Sequence, residues 1–203
     1  LRPAVPSIAL QDQRDRAIVV DFDLHSGSED TGGDGETVAA QLFAEVVDEG
    51  FGLFGAGGML LASWMAVLTD EEICLRNVPL IEDVRTMLEI LDDLGVAVEQ
   101  HGHSVRLCAK GLRKRRLRPD LCRRVRSSIL FAGPMAARHG RVSLAPPGGD
   151  VIGRRRLDTH FEGLAALGIQ LEGRREYRFR RHRLQSAQIL LDEASVTATE
   201  NIL

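Results

Sequence analysis

Two stretches of this chain echo each other at a fixed offset, and that constrains the fold more than any other feature. Leu88, Leu91, Leu94-Gly95-Val96 and Val98-Glu99 return as Phe161, Leu164, Leu167-Gly168-Ile169 and Leu171-Glu172. Gly95 and Gly168 stand 73 residues apart, and Thr86 and Thr159 share that offset. Apolar residues at three- and four-residue spacing predict an amphipathic helix in each copy. The Leu-Gly that follows ends a helix, because glycine takes the left-handed conformation there at low cost. Short apolar runs then flank turns at His101-Gly102-His103 and at residues 173–176, which predicts a hairpin in each copy. A second helix leads each unit, over 59–68 in the first and 120–138 in the second, and 195–203 begins another. The unit is therefore strand, helix, strand, helix and two strands, a βαβαββ pattern of the α/β (α+β) class.

Such a unit cannot bury its helices alone, so copies must pack about a common axis. The units run over about 58–118 and 119–190, and a third begins at 191–203. The pattern stops inside a helix without a stop signal, so 58–203 reads as part of a domain. Residues 1–57 read differently. Ala17 to Val20 suits a strand, Ser26 to Glu36 is a polar loop or disordered linker, and Thr37 to Val47 suits a short helix.

Charge is split along the chain. Residues 1–100 hold 5 Lys and Arg against 20 Asp and Glu, whereas residues 101–203 hold 21 against 9. The basic half is suited to an anionic partner. The run Arg113-Lys114-Arg115-Arg116-Leu117-Arg118 has no interleaved aromatics and no nucleic-acid motif behind it, so it reads as a solvated loop before a helix start at Pro119. Nucleic acid is not an expected partner. Cys74, Cys108 and Cys122 are odd in number and no two are separated by two residues, which argues against a disulfide framework and a zinc site. His101 and His103 flank a turn with no third ligand, so no metal is expected. The longest apolar run, Met59 to Leu68, is too short to span a bilayer, and no secretory signal stands at the N-terminus. These readings point to a cytoplasmic protein away from membranes.

The chemistry concentrates in Pro147-Gly148-Gly149-Asp150-Val151-Ile152-Gly153-Arg154-Arg155-Arg156-Leu157-Asp158-Thr159-His160. A glycine-rich loop delivers one carboxylate and three cations to a helix start, where free N–H groups already favour anions. That equipment suits binding a phosphorylated substrate and protonating it. The competing reading of Asp150 is a loop residue capping the next helix.

With this segment, Asp120-Leu121-Cys122-Arg123-Arg124-Val125-Arg126-Ser127-Ser128-Ile129-Leu130 resembles the enolpyruvyl transferases. Leu75-Arg76-Asn77-Val78-Pro79, Asp83 to Leu88, Leu94-Gly95-Val96, Leu184 to Ile189 and Ser195-Val196-Thr197-Ala198-Thr199-Glu200-Asn201-Ile202 fit the same family in order. The resemblance covers about 68–203. It implies an inside-out α/β barrel with internal helices, built from six such units in two domains. It also implies transfer of the enolpyruvyl group of phosphoenolpyruvate to UDP-N-acetylglucosamine with release of phosphate, without a cofactor, as the first committed step of peptidoglycan synthesis. The Pro-Gly-Gly-Asp loop and the Ser-Val-Thr-Ala-Thr-Glu-Asn stretch favour this amino-sugar branch over the shikimate branch.

The resemblance assigns roles. Asp150 is the proton donor over the methylene carbon, where most members have cysteine and a minority aspartate. Lacking that thiol, the protein would be insensitive to fosfomycin-type epoxides. An aspartate donates only when protonated, so its pKa must be raised, while flanking arginines lower it. Arg126 and Arg155 grip the substrate anions. Arg156, in place of the family's proline, joins Leu157, Asp158, Thr159 and His160 in the stretch that cradles uridine diphosphate. Ser195, Val196 and Thr197 contact the diphosphate, and Thr197 replaces a glycine, so its side chain is expected to obstruct close backbone approach. Gly57-Gly58 occupies the place of a lysine that holds phosphoenolpyruvate and an asparagine that holds the sugar. The second domain is missing, or is supplied as a complementary half, so little turnover is expected from this chain alone. The alternative is a catalytically inactive truncated paralogue or half-enzyme that only binds a nucleotide sugar or a partner domain.

Overall fold

The computed structural model describes residues 8–10, 17–21, 66–149, 156–193 and 195–202. The expectations for 26–36, 37–47 and Gly57-Gly58 lie outside these residues, as does the 59–68 helix apart from a single 3-10 turn at Ala66–Leu68. The first sheet contains β1 (Ile8–Leu10), β2 (Ala17–Asp21), β3 (Glu72–Arg76), β4 (Ala97–His101) and β5 (Ser104–Cys108), in the order β1-β2-β3-β5-β4. The strand expected at Ala17 is thus β2, and it pairs parallel with β3 through Val19 and Cys74. The other neighbours in this sheet are antiparallel. The second sheet contains β6 (Arg141–Leu144), β7 (Ile169–Leu171) and β8 (Tyr177–Arg181), in the order β6-β8-β7.

Helix α1 (Glu82–Leu94) forms where the leucine spacing placed it. It buries Val84, Met87, Leu88, Ile90, Leu91 and Leu94, and Glu82 and Asp83 in its first turn complement the positive end of its dipole. Gly95 ends it at φ 97, and a Cβ there would meet Gly111 O at 2.7 Å, so both the conformation and the space demand glycine. The later helix, whose Leu167-Gly168 end has Gly168 at φ +89, leads into the β7–β8 hairpin just as α1 leads into β4–β5. Val98 pairs with Leu107 in one hairpin and Leu171 with Phe179 in the other. The same partners anchor the preceding strands, since Ile73 pairs with Leu107 and Val142 with Phe179. Gly95 follows Ile73 by 22 residues, whereas Gly168 follows Val142 by 26. The second strand-to-helix connection is therefore longer, and it is the one that holds the Gly-Gly-Asp loop.

The single helix expected over 120–138 is instead three pieces: α2 (Pro119–Arg124), a 3-10 helix (Arg126–Phe131) and α3 (Ala132–His139). Val125 is extended between the first two, at φ −137 and ψ 132. The cause is competition for carbonyls. A continuous α-helix would bond Cys122 O to Arg126 N and Arg123 O to Ser127 N. Here Gly148 N donates to Cys122 O at 2.9 Å, and Gly149 N donates to Arg123 O at 3.3 Å. Ser128 Oγ donates to Val125 O at 2.9 Å, a further main-chain carbonyl taken by a side chain. Downstream, Pro134 is tolerated because it sits in the first turn of α3, where its missing N–H has no intrahelical partner to lose.

The core lies between these elements and is mainly aliphatic. Ala132, Met135 and Ala136 of α3 are fully buried beside Leu130 and Phe131. Phe161 packs on Tyr177 and Phe179, with ring centroids at 5.1 and 5.8 Å. The charge asymmetry partly resolves inside the fold. Arg124 pairs with Glu82 and Glu89, Lys114 with Asp93, and Arg138 with Asp70. The basic run meets carboxylates too, through Arg116 with Glu176 and Arg118 with Asp120. Exposed pairs of this kind contribute little singly. Arg138 is different, because its guanidinium also donates to Val67 O at 2.7 Å and Thr69 O at 2.9 Å. Arg138→Ala is expected to cost about 1–2 kcal/mol in urea unfolding, since two main-chain carbonyls lose a charged donor. Arg116→Ala, an exposed pair, should stay within about 0.5 kcal/mol of wild type.

Candidate active site

The Gly-Gly loop is seated on the helix break. Gly148 and Gly149 donate to the α2 carbonyls described above. A Cβ on Gly148 would lie 1.7 Å from Arg123 O, and one on Gly149 (φ +87) would lie 3.1 Å from Arg126 N. The approach is backbone on backbone, and only glycine permits it. The Arg126 main chain lies close against Gly149, and the Arg126 Nη2 donates to Arg156 O at 3.2 Å. Asp150, Arg154 and Arg155 lie outside the described residues.

Helix α4 (Asp158–Ala166) follows, with Leu157 as its N-cap residue. Leu157 packs against the core with its side chain. Arg156 Nε donates to Asp158 Oδ2 at 2.9 Å, and Nη1 lies 3.5 Å from Asp192 Oδ2. The hydrogen bond and charge of Asp158, then the charge of Asp192, push the Arg156 pKa up. Thr159 is buried and donates to Asp192 Oδ1 at 2.8 Å. Asp192 thus gathers Arg156 and Thr159 against the segment before the last helix. Nothing in local sequence marked it, since an aspartate between Leu191 and Glu193 carries no periodicity to betray a partner 33 residues away.

His160 is 2% exposed. Its Nδ1 lies 3.1 Å from Asn201 Nδ2, and its Nε2 lies 3.4 Å from Thr197 Oγ1. Burial, then the charge of Arg126, lowers its pKa to about 4. The last helix, α5 (Val196–Ile202), is capped by Ser195, whose Oγ accepts from Ala198 N at 3.3 Å. Val196 and Thr197 are exposed at its start. Glu200, in the same helix, has its pKa raised to about 7 by burial. The structure therefore brings together Arg126, Arg156, Asp158, Thr159 and His160, and joins Thr197 to them through His160. Asn201 was missed as a site residue. The available signal was its position three after buried Ala198 and one before Ile202, on the apolar face of a short helix.

Among the described residues, no group of three or more His, Cys, Asp or Glu could hold a metal ion, and no helix is long and apolar enough to cross a membrane.

Gly148 and Gly149 docked on a broken helix, with Arg126 bonded to Arg156 O, lie in a chain whose residues 60–203 match the family model described as EPSP synthase (3-phosphoshikimate 1-carboxyvinyltransferase). The chain belongs to that family of enolpyruvyl transferases. Within it, the chain is similar to UDP-N-acetylglucosamine 1-carboxyvinyltransferase of Treponema denticola, at 48% identity over 139 residues, 68% of this chain and 33% of the relative. The enzyme of that name in Treponema pallidum is 51% identical, with 68% and 33% covered. That of Borrelia garinii subsp. bavariensis is 39% identical over 175 residues, 80% and 40%. The chain thus spans about a third of the length of the curated relatives it matches. In fold it is similar to EPSP synthase from Acinetobacter baumannii, with a TM-score of 0.57 at 18% identity over 73% of this chain and 36% of the other. It is likewise similar to the enolpyruvyl transferase NikO from Streptomyces tendae, at 0.52 and 18%, over 62% and 27%.

Proposed function

We propose that this chain forms one part of an enolpyruvyl transfer site, in which phosphoenolpyruvate reacts with UDP-N-acetylglucosamine and phosphate leaves. The seat of Gly148 and Gly149 on the main chain of Arg123 and Arg126 carries the reading. Asp150 follows Gly149 directly in the sequence, and protonation of a bound anionic enol ester requires an acid among cations. Asp150 gives its proton to the methylene carbon while the sugar hydroxyl oxygen bonds to the central carbon and loses its own proton to a base. Phosphate then leaves the tetrahedral adduct as the methyl group gives up a proton. Arg126 and Arg155 hold the phosphate and carboxylate, and Leu157 to His160 with Ser195 to Thr197 hold the nucleotide. In this reading 58–203 comprises two βαβαββ units and the start of a third, of an inside-out barrel whose remaining site residues lie in the parts of the relatives not matched here. Peptidoglycan synthesis in the cytoplasm, and insensitivity to epoxides that alkylate a thiol, follow as parts of the same proposal.

A second reading has its own support. Arg126 donates to Arg156 O, Arg156 meets two aspartates, and Thr159 and His160 are buried in internal contacts. A chain with its cations so engaged suits nucleotide-sugar binding without turnover. Phosphate release with both substrates, measured in a chain completed with the part of the relatives not matched here, beside calorimetry with UDP-N-acetylglucosamine, separates the two. Turnover that falls at least a hundredfold in Asp150→Ala is the expected result for the transferase, in line with loss of a general acid. Equal rates for wild type and variant remove Asp150 from the role, and binding without phosphate release selects the second reading.

A further inference from the structure

Asn201 is 4% exposed and touches three elements at once. Gly133 N donates to its Oδ1 at 2.9 Å, and its Nδ2 lies 3.1 Å from both Ile129 O and His160 Nδ1. Gly133 leaves no slack, since a Cβ there would meet Asn201 O at 2.3 Å. Because an N–H can bond only to the amide oxygen, the Gly133 donor fixes which way the Asn201 amide faces. Its NH2 therefore points at Ile129 O and at His160 Nδ1. That ring nitrogen must be bare to accept, so the neutral imidazole carries its hydrogen on Nε2. The Nε2–H donates in turn to Thr197 Oγ1, which leaves the threonine's own hydroxyl hydrogen to donate elsewhere. Thr197 is exposed at the start of α5, so that hydrogen has room to face outward. Each bond in such a chain polarises the next.

We propose that Asn201 is a positioning residue: it locks His160 as the Nε2–H tautomer and so turns the Thr197 hydroxyl hydrogen toward an acceptor oxygen of a bound nucleotide diphosphate. The tautomer follows from the hydrogen bonds alone, while the ligand rests on the nucleotide reading proposed above. Thr197, expected from sequence to obstruct the backbone, becomes a donor that a glycine could not supply.

Ring 15N shifts of His160 in the full chain, labelled at histidine, test the lock at pH 7. Wild type should show a bare Nδ1 and a protonated Nε2. Asn201→Asp keeps an oxygen for Gly133 N–H but sets a second oxygen against Nδ1, and should move the hydrogen there. Thr197→Val should keep the wild-type tautomer and weaken uridine diphosphate binding about tenfold, the loss of one hydrogen bond to a charged acceptor. An Nδ1–H or doubly protonated His160 in wild type overturns the lock, whether or not Asn201→Asp folds. Unchanged uridine diphosphate affinity in Thr197→Val overturns the outward donor. Wild type that shows the Nε2–H tautomer yet binds no uridine diphosphate sustains the lock, and sinks both the nucleotide reading and the donor built on it.

Discussion

Gly148→Ala is expected to lower stability by about 3 kcal/mol, the upper range for forcing atoms into a filled space. The added Cβ would stand 1.7 Å from Arg123 O and 2.4 Å from the carbonyl carbon. Both are main-chain atoms of a segment held by its own bonds, so neither can swing aside as a flexible side chain would. The loop must lift away, and Gly148 N then loses Cys122 O. The freed carbonyls of Cys122 and Arg123 would be open to Arg126 N and Ser127 N, so α2 should extend through Val125. Gly102→Ala supplies the contrast. Gly102 is also left-handed, at φ +59, but nothing lies within 4 Å of its Cβ position. It should cost only the conformational penalty, about 1 kcal/mol. Urea unfolding of the pair measures the difference, and equal losses would show that the loop is not seated as described.

His160 is expected to make stability fall as pH drops from about 6.5 toward 4. Its folded pKa, about 4, lies below the ordinary histidine value. Between those two values the unfolded chain binds more protons than the folded one, so stability rises with pH across that window. Burial is nearly complete, and the contribution is on the order of 3 kcal/mol. His139, half-buried beside Arg115 and Arg138, is also lowered to about 4 and acts in the same sense. Glu200 opposes them. Its pKa, raised to about 7, gives stability that is present below the ordinary carboxyl value and lost as pH rises through 7. Comparing wild type with His160→Gln in urea at pH 7 and pH 4 isolates the histidine. The advantage of wild type should shrink by roughly 3 kcal/mol between the two. A constant difference would place a titrating, solvated imidazole at this position.

The parts of the fold written in local sequence were legible. Leucine spacing with Leu94-Gly95 and Leu167-Gly168 located α1, α4 and the hairpins behind them. Period and cap are properties of neighbouring residues, so reading along the chain suffices. The break at Val125 was not legible, because the groups that cause it, Gly148 and Gly149, lie over twenty residues away. Much the same holds for the site. Arg126 was found from its motif, but its grip on Arg156 O depends on how a distant loop returns. The motif gives Thr159 and His160 as part of a cradle for uridine diphosphate, but not the contacts their side chains make with Asp192 and Asn201. Period alone does not say which neighbour a buried face will meet.

The parallel pairing of β2 with β3 has a practical consequence for shortened versions of this protein. Removing residues 1–21 would strip one side of β3 of its main-chain partners, from Glu72 to Arg76. A bare strand border of this kind recruits other chains. Such a deletion should show itself first as concentration-dependent clumping, well before any change in the helices is seen.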